Sequence, residues 1–222
     1  MSTVLPSAAA APMPRKAVIV LGFGTSPGQA NPVTSLPYGA LAERLPAVER
    51  QGIQQAVEEA LSAGLMELVF LTRDGAALAP VGGLPQQVVL SRSPGGNGLG
   101  AALRAARTLI GTEPFVVLAP ESLATAGRGA VARLLAAYRR HGGNLAVIDN
   151  EETLLREGTF TAIARAAAGL YLLQPAVLDA LDGVADLGEA LLRLAEAWPV
   201  TALPAGAGPA APPRQELAGA AD

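Results

Sequence analysis

The chain has 222 residues, half of them apolar and only 16% charged, with a formal net charge of −3. That length supports one sizeable core and a single domain, and a charge without any basic cluster beyond short Arg pairs argues against nucleic acid as a partner. Cysteine is missing, which excludes disulfides, thiolate metal sites and Cys nucleophiles, and the longest apolar runs are strand-length, so no membrane span is predicted.

Residues 1–14, MSTVLPSAAAAPMP, have neither a charged n-region nor a long apolar h-region. They read as a flexible tail rather than a signal peptide, and a cytoplasmic location follows by default. Lys16 to Thr25, KAVIVLGFGT, organises the rest. Ala17 to Leu21 is a continuous apolar, β-branched run, the pattern of a strand buried on both faces. It ends in Gly22-Phe23-Gly24-Thr25. Two glycines there let a backbone approach a ligand closely and turn N–H groups toward an anion. Such a loop follows the carboxyl end of a strand, where open α/β sheets hold ligands. The same residues also suit a tight βα turn with no ligand. Pro27 stands where a dinucleotide fingerprint needs its third glycine, and no Gly-Lys-Ser/Thr follows, which excludes a Walker loop.

Ser26 to Tyr38 is rich in Pro, Gly, Asn and Ser and reads as a surface loop. Leu41 to Arg50 is a mixed continuation. Gly52 to Ala63 carries Ile53, Ala56, Val57, Ala60 and Leu61 on one helical stripe, with Gly64 as C-cap. Glu58 and Glu59 fall on its polar face, where solvation is expected. Leu65 to Thr72 is a second buried strand, which completes a βαβ unit. Gln87 to Leu90 is a short third strand. Gly95 to Gly100 is a second glycine-rich turn, and Leu99 to Ile110 a helix. Phe115 to Ala119 is a strand ending at Pro120-Glu121-Ser122.

Arg128 to Arg140 is a helix closed by Gly142-Gly143. Arg139, Arg140 and His141 suit its C-terminal dipole. His141 is the only histidine, and this position offers it no nucleophile to activate. Leu145 to Ile148 and Gly169 to Leu173 read as strands, with a helix or irregular stretch near Glu151 to Ala168 between them. Pro175 to Leu181 and Asp186 to Ala197 read as helices. Trp198-Pro199 precedes a last strand, Val200 to Leu203. Residues 204–222 form an Ala/Pro/Gly tail expected to be disordered. The sum is one α/β domain over residues 15–203, with three α/β/α layers around a mostly parallel sheet.

Taken in order, KAVIVLGFGTS, LPAVERQGIQQAVEEALSAGLMELVFLT, GLGAALRAARTLIGTEPFVVLAPESL and AGLYLLQPAVLDAL resemble bacterial UTP–glucose-1-phosphate uridylyltransferase, a sugar-nucleotide pyrophosphorylase. The resemblance runs roughly from Lys16 to Thr201 and implies a Rossmann-like nucleotidyltransferase fold. It also implies attack of a sugar phosphate on the α-phosphorus of a nucleoside triphosphate, with pyrophosphate leaving. That chemistry rests on positioning and charge stabilisation. Carried over residue by residue, the resemblance puts nucleotide contacts at Gly22, Phe23, Gly24 and Thr25 and at Gly98 and Gly100. It puts Mg²⁺ on Glu121, a residue that suits a helix cap equally well.

Other positions depart from the family. Ser26 stands where the family has an arginine. Ala42 or Tyr38, depending on the anchor, stands where it has a lysine. The base-reading glutamine falls near Ser91, Ala101 follows the second glycine turn, and Ser122 replaces a carboxylate. TFTAIARAAA, residues 159–168, replaces the Glu-Lys-Pro of the sugar site, and the late Asp-Cys-Gly segment has no counterpart. Each lost transition-state donor typically costs about 2.7–4 kcal/mol. The expectation is a degenerate, weak or inactive member that binds UTP, UDP-glucose or an active relative, with homo-oligomerisation a family habit. Two alternatives stand beside it. One is an active enzyme using Mg²⁺ whose cations have moved to Arg44, Arg50 or Arg73, residues that also suit solvated charges. The other is a structural protein with empty glycine loops.

Overall fold

The computed structural model describes residues 12–21, 47–72, 86–88, 99–148, 167–184, 187–194, 197 and 200–205. Among the described residues, seven strands form one sheet: β1 (Lys16–Leu21), β2 (Glu67–Thr72), β3 (Gln86–Val88), β4 (Phe115–Leu118), β5 (Asn144–Ile148), β6 (Ala167–Leu173) and β7 (Val200–Pro204). Their spatial order is β3-β2-β1-β4-β6-β5-β7. Pairs β1–β2, β1–β4, β2–β3 and β5–β7 are parallel, whereas β6 runs antiparallel to both β4 and β5. The sheet is thus mostly parallel, with β6 alone reversed.

The helices among the described residues are α1 (Ala47–Ser62), α2 (Leu99–Ala105), α3 (Arg107–Ile110), α4 (Leu123–Ala126), α5 (Ala130–His141), α6 (Ala176–Ala180) and α7 (Leu187–Leu194), with a 3₁₀ turn at Pro120–Ser122. They cover both faces of the sheet. Ala17 and Ile19 of β1 face one core, shared with Leu68, Phe70, Val116 and Leu118 and with residues of α1, α4 and α5. Val18 and Val20 face the other, shared with Val69, Leu71, Phe115, Val117 and residues of α2, α3, α6 and α7. Alternate residues of each central strand therefore enter different cores. This is the physical reason why Ala17–Leu21 is apolar without a break.

Element bounds differ from the sequence reading where glycine or local bending intervenes. Helix α1 begins at Ala47 rather than Gly52, so Gly52 lies inside the helix instead of opening it. A Cβ built on Gly52 would stand 3.4 Å from the Pro120 Cβ. An interior glycine costs a helix roughly 0.5–1 kcal/mol relative to alanine, while the contact is at the lower bound of ordinary packing. Gly52→Ala is therefore expected to change stability by less than about 1 kcal/mol in urea unfolding. A loss well above that would mean that α1 has no room to retreat from Pro120. The predicted helix Leu99 to Ile110 divides at Ala106, whose φ of −87° and ψ of 2° lie outside helical values.

The amino edge of the sheet is closed by polar contacts. Lys16 Nζ donates to the Leu109 and Ile110 carbonyls at 2.6 and 2.8 Å, capping α3 with a cation. The buried Asn144 accepts from the Gln174 backbone N–H at 2.8 Å, and Gln174 Nε2 donates to the Gly143 carbonyl and the Tyr138 hydroxyl. Among the described residues, no helix is long and apolar enough to cross a membrane.

Candidate functional site

Strand order identifies where a ligand crevice opens. From β1 the chain passes through α1 to β2 on one side, whereas β4 lies on the other. That reversal is the topological switch point, and ligands of open α/β sheets bind outside the carboxyl ends of the strands flanking it. Ile19 of β1 pairs with Leu118 of β4. Two residues further along, β1 ends at Leu21 while the segment after β4 reaches Pro120. The Pro120–Ser122 turn thus begins where β1 ends, at the carboxyl edge of the sheet.

Two elements hold that turn in place. Helix α1 starts at the carboxyl edge and lays Gly52 against Pro120. From the other side, the Ala119 backbone N–H donates to the Gly169 carbonyl at 2.9 Å, which ties the entry of β6 to the end of β4. The Ser122 N–H donates to the Ala119 carbonyl at 2.9 Å and closes the turn. Ser122 is the N-cap of α4, yet its side chain makes no capping hydrogen bond. Its half-buried hydroxyl is thus not consumed by the helix it precedes.

Several residues singled out from the sequence fall on this frame, and others do not. Glu121 rides on the 3₁₀ turn at the switch point, and Arg50 lies in the first turn of α1, two residues before Gly52; both side chains lie outside the described residues. Gly100 is buried in the first turn of α2. Gly22, Phe23, Gly24, Thr25, Arg44, Arg73 and Gly98 lie outside the described residues. His141, Arg139 and Arg140 occupy the last turn of α5, exposed, as the dipole argument requires. No group of three or more His, Cys, Asp or Glu able to hold a metal occurs among the described residues. Mg²⁺ carried in on phosphates is held by one or two carboxylates plus substrate oxygens, so a site of that kind needs no such group.

Two features escaped the sequence reading. Glu59 is not solvated. It is 9% exposed, and its Oε1 accepts from the Gly129 backbone N–H at 2.7 Å, at the N-terminus of α5. Its place on a polar stripe of α1 gave no sign that a second helix would end against that stripe. Gly169 is the other. A glycine at the start of an apolar strand signals close backbone approach, and that signal was available.

No protein-family model matches the sequence, and no curated protein matches it. Solved structures do match its fold. UDP-glucose pyrophosphorylase from Acinetobacter baumanii aligns over 87% of each chain with a TM-score of 0.60 at 18% identity, and its UTP-bound form gives 0.58 at 15% with the same coverage. A UDP-glucose pyrophosphorylase complexed with UDP-glucose aligns over 83% of this chain and 88% of its own, with a TM-score of 0.53 at 17% identity. A putative glucose-1-phosphate thymidylyltransferase from Bacillus anthracis covers 85% and 86%, with 0.54 at 12%. The chain therefore has the nucleotidyltransferase fold of the sugar-nucleotide pyrophosphorylases.

Proposed function

We propose that this chain binds a nucleotide or nucleotide sugar, UTP or UDP-glucose, at the carboxyl edge of β1 and β4, and transfers a uridylyl group weakly or not at all. The observation that carries the reading is the switch point itself. The chain leaves β1 into Gly22-Phe23-Gly24-Thr25 at the level where β4 hands over to the turn bearing Glu121. Backbone N–H groups of the first segment would hold phosphate oxygens. Glu121 would hold Mg²⁺ arriving on the triphosphate, where the ion neutralises phosphate charge. Gly98 and Gly100 would approach the base. Similarity in fold to proteins solved with UTP and with UDP-glucose supports this choice of ligand.

The low transfer rate follows from Ser26 and from Ala42 or Tyr38 at the positions of the family's cations. Positioned charge is most of what such a reaction needs, and two absent donors leave little of it even where their effects are not additive. One observation favours a second reading, an active enzyme with a displaced cation. Arg50 belongs to the turn of α1 that leads into the Gly52–Pro120 contact. The third reading is a structural or interaction protein whose glycine loops hold no ligand.

Thermal unfolding with UTP, UDP-glucose and glucose 1-phosphate, each with Mg²⁺, tests the binding claim. A ligand at 100 times its Kd stabilises by about 2.7 kcal/mol, so a clear rise is expected for UTP or UDP-glucose. A flat response to all three would overturn the reading in favour of empty loops and a protein partner. Rapid UDP-glucose formation, lost in Glu121→Ala and Arg50→Ala, would replace the weak enzyme by the active one.

A further inference from the structure

We infer that Gly169 is a positioning residue that sets where the Ala119–Ser122 segment, and with it the backbone of Glu121, stands at the switch point; this rests on the nucleotide reading above. Gly169 has φ +65°, a backbone conformation that favours glycine. A Cβ built on it would overlap the Ser122 Oγ and stand 2.8 Å from the Ala119 Cβ and 3.3 Å from the Ser122 Cβ. The same residue accepts the Ala119 N–H through its carbonyl at 2.9 Å. Gly169 therefore both pulls the end of β4 toward β6 and leaves the gap into which that end fits.

The two obstructions differ in kind. Ser122 Oγ can swing to another rotamer. The Ala119 Cβ cannot, because it is fixed by the backbone of β4's last step, at φ −93° and ψ 119°. Any side chain on Gly169 thus displaces the Ala119–Ser122 backbone rather than a flexible side chain. Glu121 lies inside the displaced segment, and Pro120 faces α1 on its other flank, where a Cβ built on Gly52 would stand 3.4 Å from the Pro120 Cβ, so there is little room to yield on that side. A carboxylate that meets a phosphate-borne cation tolerates little displacement, since Mg²⁺ demands near-ideal octahedral geometry.

UTP affinity measured by calorimetry, once with Mg²⁺ and once with EDTA, tests this on four proteins. They are the wild type, Gly169→Ala, Gly169→Ala/Ala119→Gly and Ala119→Val. Ala119→Val narrows the same gap from the opposite side without touching the glycine. Valine suits that extended backbone, so this variant carries the test if Gly169→Ala fails to fold. Both single variants are expected to weaken UTP about tenfold with Mg²⁺ and to change the EDTA value little. Removing the Ala119 methyl should recover part of the loss. Folded variants that bind as the wild type does, or that lose affinity equally with Mg²⁺ and with EDTA, would overturn the positioning role and leave Gly169 a packing residue. A wild type that binds no UTP in either buffer would overturn the nucleotide reading itself, and this role with it.

Discussion

Phe115→Ala is expected to destabilise the protein by about 3–5 kcal/mol, the usual cost of emptying a buried aromatic site. Phe115 is fully buried. It begins β4, and its backbone is paired on both sides, to Lys16 of β1 and Leu173 of β6. A strand held by two neighbours cannot move in to fill the space its side chain leaves, so most of the cavity term should persist. The ring belongs to the core beneath α2, α3, α6 and α7, with Val117, Ile110 and Leu178 among its members. Urea unfolding should show a lower midpoint at an unchanged slope. Leu192→Ala is the control. Leu192 is 50% exposed and should cost no more than about 0.5 kcal/mol. A Phe115→Ala loss as small as that of the control would mean that the layer over this face is not packed as described.

Glu59→Ala should cost about 1.5–3 kcal/mol, the range for a hydrogen bond to a charged group. The carboxylate works across two helices. It leaves α1 and takes the Gly129 N–H at the start of α5, where four backbone donors lack intrahelical partners and negative charge is favoured. No side chain on α5's own N-cap does this, since Gly129 has none to offer. Glu59→Gln keeps an acceptor oxygen and removes the charge, so it should recover more than half of the loss. Equal losses for Gln and Ala would assign the effect to the charge rather than to the hydrogen bond. Arg133, from within α5, donates to the Arg128 and Ala126 carbonyls at 2.7 and 2.5 Å and ties the preceding turn to the helix.

The layers were legible because they depend on local pattern. Unbroken apolar runs such as Ala17–Leu21 and Phe115–Leu118 require two covered faces, and the stripe Ile53, Ala56, Ala60 supplies one of the covers. The reversed direction of β6 was not legible. Ala167–Leu173 has the same apolar composition as a parallel strand, and composition carries no strand direction. Gly52 misled for a related reason. Its low helix propensity is a local signal, while the helix around it is held by packing against distant residues, through Ile53, Ala56 and Ala60. Glu59 was misassigned because the polar face of an isolated helix says nothing about which helix terminus arrives there. For the site, the sequence supplied the residue types, and strand order supplied the juxtaposition of Leu21's exit with Pro120–Ser122. The proposed nucleotide site thus combines a motif at residues 22–25 with a topology that the motif alone could not reveal.

Hydrogen–deuterium exchange with and without UTP and Mg²⁺ tests for that site most directly. Slower exchange in peptides covering residues 16–25, 47–55 and 115–123, with the amino-edge residues Asn144 and Gln174 unchanged, is the predicted result. Slowing at the amino edge, or none anywhere at saturating UTP, would contradict a nucleotide site at the carboxyl ends of β1 and β4.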